Sequence, residues 1–285
     1  MKKIFIILFT IGCLAGGYSC QDDFLQKPDI SGTVDLDKIF SSTKNAEASL
    51  FSCYRNVLKH GWPSGTGLGH GTLGAISGEV SKGWSWHATW QICDVGLMPN
   101  KHTNSMTGSA GAEHFGQNWE YIRACFIIKE NIDRVPDMSS DIKGYIKGEA
   151  AGLIAYRYMG MFYRFGGVPI VRKAYLPEDD LMAPRASLQE TLDYTLELLD
   201  EAYALPDSWA NIGGSGIYTG RLTRGAVLAM KARLLMFAAR PLFNSATPYL
   251  SFDNADNNKL ICFGNADPSR WQDAIDANVA VLTWA

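Results

Sequence analysis

Apolar positions along this chain recur mostly at spacings of three and four, the signature of one helix face. The clearest run covers 141–165, where Ile146, Ala150, Leu153, Ile154, Tyr158, Met161, Phe162 and Phe165 line up and Gly166-Gly167 stops the pattern. A first helix is expected over 43–59, with Ser41 or Ser42 as N-cap and Gly61 past its end. A second is expected over 117–134, ending before Pro136. A fourth begins at Ser187, with Glu190 three residues on as a capping box, and ends near Leu205-Pro206. A fifth covers 223–239, before Pro241. A sixth starts at Ser269, with Gln272 as a second capping box, and is still running at Trp284-Ala285.

The chain is therefore expected to be all-α. The starts of the fourth and fifth helices lie about 36 residues apart, close to the tetratricopeptide period of about 34. Helix pairs stacked on one core are the expected architecture. The long stretch 61–116 breaks the pattern. It is rich in Gly, Ser, Thr, His and Trp and reads as an irregular insertion, too long for an ordinary connection.

The N-terminus has a different pattern. Lys2 and Lys3 precede an apolar run over 4–14, too short to span a bilayer, and Gly16, Gly17 and Ser19 then lead to Cys20. This is the layout of a lipoprotein signal peptide over 1–19, with Cys20 as the lipid acceptor. Cys13 is a rival acceptor, but it sits inside the apolar run. A lipid would anchor the chain to a membrane without spanning it. After Cys20 no apolar run is long enough to cross a bilayer.

Composition narrows the chemistry. At 47% hydrophobic the chain can bury a substantial core, and its net charge of -3 gives no basic footprint for nucleic acid. Cys53, Cys93, Cys125 and Cys262 show no CxxC spacing, so no zinc site is expected. Export permits disulfides, but sequence cannot pair these cysteines, and buried thiols are the plainer reading. The five histidines, four of them within the insertion, are scattered without metal-ligand spacing. Gly69 to Gly74 matches G-x-G-x-x-G but lacks a strand before it and a helix after it. Ser41 to Lys44 matches S-x-x-K and reads better as a helix cap. No metal, cofactor or catalytic residue is expected.

The insertion offers the best binding chemistry. Trp84, Trp86 and Trp90 lie within seven residues, followed by Asn100, Lys101 and His102. Trp84 and Trp86 share a face if the chain there is extended. Exposed indole faces give a sugar ring a platform, and Asn, Lys and His can bond its hydroxyls. The alternative is a loop that packs these rings in a small core of its own.

At this point the chain resembles the SusD/RagB outer-membrane lipoproteins of Bacteroidota. The resemblance rests on Cys20-Gln21-Asp22-Asp23-Phe24-Leu25 with Pro28, and on Trp119-Glu120-Tyr121-Ile122-Arg123. It continues through Gly148-Glu149-Ala150, Tyr156-Arg157, and Phe165-Gly166-Gly167-Val168-Pro169-Ile170. Leu222-Thr223-Arg224-Gly225-Ala226, Lys231-Ala232-Arg233, Ala238 to Asn244, and Trp271-Gln272-Asp273-Ala274-Ile275 complete it. The acidic Asp22-Asp23 also looks like that phylum's surface-export signal.

The resemblance implies a SusD-like helical domain over 20–285, truncated at its C-terminal side. It implies a non-catalytic glycan-binding protein, held on the cell surface by its lipid, that delivers oligosaccharides to a SusC-like TonB-dependent transporter. Peptide binding on the same scaffold, or a lid that binds no ligand, are the alternatives. By location, Trp84, Trp86, Trp90 and Asn100 are its ligand candidates. Arg157 and Arg164 are expected to pair with carboxylates between helices, and Asn244 to brace the turn after Pro241.

Overall fold

The computed structural model describes residues 35–59, 115–176, 178–213, 219–250 and 259–285. The chain divides into two units, Met1–Ile39 and Phe40–Ala285. Of the first, the described part is a single helical turn, Leu36–Ile39, closed by the Lys38 and Ile39 amides donating to the Asp35 carbonyl.

The second unit is helical throughout its regular elements, the long ones being α1 (Thr43–Lys59), α2 (Phe115–Asn131), α3 (Ser140–Phe165), α4 (Leu188–Ala202), α5 (Arg224–Ala239) and α6 (Ser269–Trp284), with a single turn at Ala210–Gly213. No strand occurs among the described residues. Caps fix the ends where the sequence supplies them. The Ser42 hydroxyl accepts from the Asn45 amide in the first turn of α1. Ser139 caps α3 and Thr223 caps α5. At α4, Ser187 and Glu190 form the expected capping box in both directions. The second helix begins at Phe115, two residues before its expected start, and ends in a 3-10 turn, Ile132–Arg134.

The second expected capping box does not form. Pro268 already has helical angles, so Ser269 lies inside the helix and cannot act as its N-cap. Asp267 takes the role, accepting from the Ser269 amide at 2.9 Å and its hydroxyl at 2.7 Å. Gln272 turns forward instead, to Asp276.

α3 is the central element. It packs on α2 on one side and α4 on the other, and α5 packs chiefly on α6. The tetratricopeptide-like pairs are thus α3 with α4 and α5 with α6. The starts of α4 and α5 belong to consecutive pairs, which touch across the α4–α5 contact. All the apolar positions expected to line α3 are buried except Phe165, which is half-buried.

The chain leaves α3 through Gly166, whose φ of 72° is left-handed and easy only for glycine. A Cβ there would overlap the Leu260 carbonyl, and one at Gly167 would overlap the Ala186 carbonyl. The extended piece that follows is sewn to three helices. Val171 donates to the Tyr158 hydroxyl on α3 and accepts from the Tyr194 hydroxyl on α4. The Ala174 amide reaches Glu130 on α2.

Asn244 braces the chain as expected, and the reason is visible. Its side chain exchanges two hydrogen bonds with the Asp267 backbone, 2.8 Å to the carbonyl and 2.7 Å from the amide. That pins the turn after α5 to the start of α6.

Gly166→Ala and Gly144→Ala should therefore have opposite effects. Gly144 is exposed on α3 with open space around its Cβ position, so alanine there should stabilise by about 0.5–1 kcal/mol. At Gly166 the left-handed backbone and the Leu260 carbonyl should cost more than about 2 kcal/mol. Urea unfolding of the two variants reads both signs, and equal effects would contradict this account.

Candidate functional site

A buried ion pair joins three segments distant in sequence. Arg221 lies just before α5, Glu149 in the middle of α3 and Tyr54 on α1. Arg221 donates through Nε to Glu149 Oε1 at 2.8 Å, and through Nη2 to Glu149 Oε2. Its third donor, Nη1, reaches Glu47 Oε1 at 3.4 Å. The Tyr54 hydroxyl donates to Glu149 at 2.5 Å and accepts from the Leu222 amide at 2.8 Å. Trp209 stacks on the guanidinium, 3.9 Å from its ring centroid, and donates its indole N–H to the Leu222 carbonyl.

The electrostatics follow from burial. The side chains of Arg221 and Glu149 are 2% and 0% exposed. Burial raises the Glu149 carboxyl above its ordinary range, against the pull of Arg221 and Tyr54. Burial also works against the Arg221 charge, but the hydrogen bonds and charge of Glu149 outweigh it and raise its pKa. Tyr54, desolvated beside a carboxylate, is pushed far above the usual phenol range and stays protonated.

This network floors a cleft of about 310 Å³ lined by Phe51, Tyr54, Arg55, Leu58, Gly220 and Arg221, with Thr219. The cleft lies along the C-terminal half of α1, where 60–114 departs in sequence. Its wall is apolar and aromatic, with Arg55 exposed at its edge. At the other end of that segment, Phe115 and Trp119 open α2 and pack edge-on, 5.4 Å apart. Phe115 is 37% exposed, and from Trp119 an edge-to-face series continues through Tyr158 to Tyr194. Both roots of 60–114 are thus flanked by aromatic surface.

A second cleft, of about 610 Å³, lies between α5 and α6, bounded by Tyr203, Arg224, Leu228 and Trp284. Asp207 ties two of these residues together, accepting from Arg224 and, at 2.6 Å, from the Trp284 indole. α6 turns Trp271, Ile275, Val279 and Leu282 outward.

The residues singled out as ligand candidates, Trp84, Trp86, Trp90 and Asn100, lie outside the described residues, as do Cys20 and all five histidines. The described contacts of Arg157 include the Asn56 carbonyl, Asn118 and the Tyr121 ring, and those of Arg164 include the Gly160 carbonyl. Arg221, just before α5, makes the fully buried pairing with a carboxylate, Glu149 on α3. Its sequence signal was weak, since a single arginine before a helix gives no partner. Phe115 and Trp119 carried a better one, two aromatic residues four apart. Among the described residues no cluster of His, Cys, Asp or Glu could hold a metal, and no helix is long and apolar enough to cross a membrane.

No family model matches the chain. A SusD-like protein of Formosa agariphila is 34% identical over 101 residues, which make up 35% of this chain and 20% of that protein. A SusD superfamily structure from Parabacteroides distasonis shares the fold with a TM-score of 0.59 at 18% identity, covering 84% of this chain and 44% of the other. A laminarin-binding SusD-like protein matches with a TM-score of 0.54 at 18% identity, covering 76% and 48%. The chain thus spans less than half the length of the relatives and structures it matches.

Two consequences can be measured. Replacing either member of the buried pair alone, as in Glu149→Gln or Arg221→Met, should cost about 3–5 kcal/mol, because Glu149 then loses its counter-charge and Arg221 keeps only Glu47, at 3.4 Å. The double variant should lose less than the sum of the two, and strictly additive losses in urea unfolding would refute the coupling.

The second consequence concerns acid. Asp207 is held below its ordinary 3.8 by hydrogen bonds from Arg224 and Trp284. Its contribution is therefore complete above that value and lost as pH falls through the lower folded one. The urea midpoint should fall more steeply below about pH 4 for the wild type than for Asp207→Asn. Parallel curves would remove Asp207 from the acid response.

Proposed function

The chain is SusD-like in sequence and in fold, and on that premise we propose that it is a glycan-binding lipoprotein of the outer-membrane surface. It captures oligosaccharides and passes them to a SusC-like TonB-dependent transporter. Cys20 carries the lipid, and Trp84, Trp86 and Trp90 supply stacking faces, with Asn100 bonding sugar hydroxyls. The observation that carries this reading is the shared fold with a laminarin-binding SusD-like protein, added to the sequence relationship with the Formosa protein.

Physical chemistry supports binding over turnover. The carboxylate at the heart of the described network is locked to an arginine and a tyrosine, with neither oxygen open to a substrate. The aromatic residues at both ends of 60–114 are of the kind that stack on sugar rings while their edges pack on the scaffold.

Calorimetric titration of the full-length protein, with laminarin first and a glycan panel after it, tests the proposal. Binding is expected. Replacing Trp84, Trp86 and Trp90 together with alanine should weaken it at least about tenfold, which is about 1.4 kcal/mol. Retention of peptides and no glycan would favour the peptide-binding alternative. Uptake unaffected by the triple replacement would favour a lid that reads no ligand.

A further inference from the structure

Trp284, at the end of α6, is 42% exposed and yet held at both ends of its ring. Its indole N–H donates to Asp207 at 2.6 Å, and its benzene edge lies against Gly225 on α5, where a Cβ would overlap it. Tyr203, which closes α4, is 48% exposed, and the Arg224 guanidinium stands 5.6 Å from its ring centroid. Arg224 also donates to both oxygens of Asp207. Tyr203, Arg224, Asp207 and Trp284 thus form one connected series, and all but Asp207 line the cleft of about 610 Å³ between α5 and α6.

We propose that this cleft is a second saccharide site, which takes a neutral pyranose segment of an oligosaccharide apart from the surface proposed on 60–114. None of the residues lining it belongs to that stretch. The ligand class rests on the glycan-binding role proposed above, but the geometry of the cleft does not.

The lining matches the two sides of a pyranose ring. Leu228 from α5 and Val279 and Ala280 from α6 give an apolar floor, and the exposed Tyr203 and Trp284 rings suit the C–H face of a sugar. The cleft volume falls within the range of small-molecule sites, roughly 300–1,000 Å³. A sugar's hydroxyl rim needs acceptors and donors together. Asp276 accepts from Gln272 through Oδ1 and has further lone pairs, and Thr283 donates to the Val279 carbonyl and can still accept. Arg224 uses Nε and Nη2 on Asp207, and its guanidinium carries more N–H groups than these.

Charge narrows the class. Arg224 is the cation of the lining and is already paired with Asp207, while Asp276 adds a negative charge. A uronic acid or a sulfate ester would meet Asp276 without an unpaired cation to offset it, so the cleft suits a neutral sugar. The hold on Trp284 also matters for affinity. A ring fixed by Asp207 and Gly225 before the ligand arrives has little freedom left to lose on binding.

The test labels the full-length protein with fluorotryptophan and follows its fluorine NMR signals during titration with laminarihexaose, cellohexaose, mannohexaose and xylohexaose. The Trp284 signal is the one missing from Trp284→Phe. It should shift saturably with at least one of these sugars, and it should still do so when Trp84, Trp86 and Trp90 are all alanine. Asp276→Arg, at an exposed position, fills the cleft with a long cation and should raise the half-saturating sugar concentration at least about tenfold. If Trp284→Phe does not fold, the test stands on the other two variants: some signal left in the triple variant must respond to sugar, and Asp276→Arg must suppress that response. Calorimetric binding of a hexasaccharide that leaves the Trp284 signal unmoved overturns the second site and leaves the glycan-binding role intact. No calorimetric binding of any glycan removes that role, and this site with it. A shift caused by a casein digest but by no hexasaccharide gives the cleft to peptides and overturns the saccharide assignment.

Discussion

A cation buried with its counter-charge holds this structure together. Arg221 comes from the turn before α5, Glu149 from the middle of α3, and Tyr54 and Glu47 from α1. Elements up to 174 residues apart in sequence therefore share one set of donors and acceptors. Burial makes each charge expensive to leave alone, so the pair acts as a lock: any arrangement of α1, α3 and the approach to α5 that separates them strands a charge in an apolar interior. Trp209 covers the guanidinium and fastens the Leu222 backbone, extending the lock to the segment after α4.

Four of the stretches of sequence that carry the SusD resemblance supply parts of this lock or of joints like it. Glu149 is the carboxylate of Gly148-Glu149-Ala150. Gly166 and Gly167 let two other backbone segments pass within contact of the chain. Gly225, in Leu222-Thr223-Arg224-Gly225-Ala226, leaves room for the Trp284 ring, which a Cβ would overlap. Asn244, at the end of the Ala238 to Asn244 stretch, pins α6. These residues sit where backbones approach closely or where a buried polar group must be matched, and few other side chains meet either demand.

Helices were legible because their signals are local. A 3.6-residue period, a serine cap and a terminal glycine are each decided within a few residues, and α1, α3, α4 and α5 follow them closely. The sixth helix shows the limit: Ser269 and Gln272 have the spacing of a capping box, but Pro268 already carries helical angles and Asp267 is the better acceptor. Which partner a buried side chain meets was not legible. Arg221 looks like any other arginine in sequence, and tertiary packing alone brings it to Glu149. The candidate binding residues were read from chemistry within one segment, and Trp84, Trp86, Trp90 and Asn100 lie outside the described residues.

What the scaffold does supply is a fixed pair of roots for that segment. The Thr43 end of α1 is tied to the turn between α2 and α3, where the Thr43 amide and hydroxyl both donate to Asp137. Further along α1, Tyr54 is tied to Glu149 and Leu222. On α2, Arg123 donates to the Tyr175 carbonyl and Glu130 accepts from the Ala174 amide. Neither helix can slide without breaking hydrogen bonds to at least one other element. A binding surface carried between such helices loses less entropy when it closes on a ligand, because its anchors are already ordered. In the function proposed above, the buried network acts through its hold on the helices at either end of 60–114 and through Tyr54 and Arg221, which line the cleft beside α1.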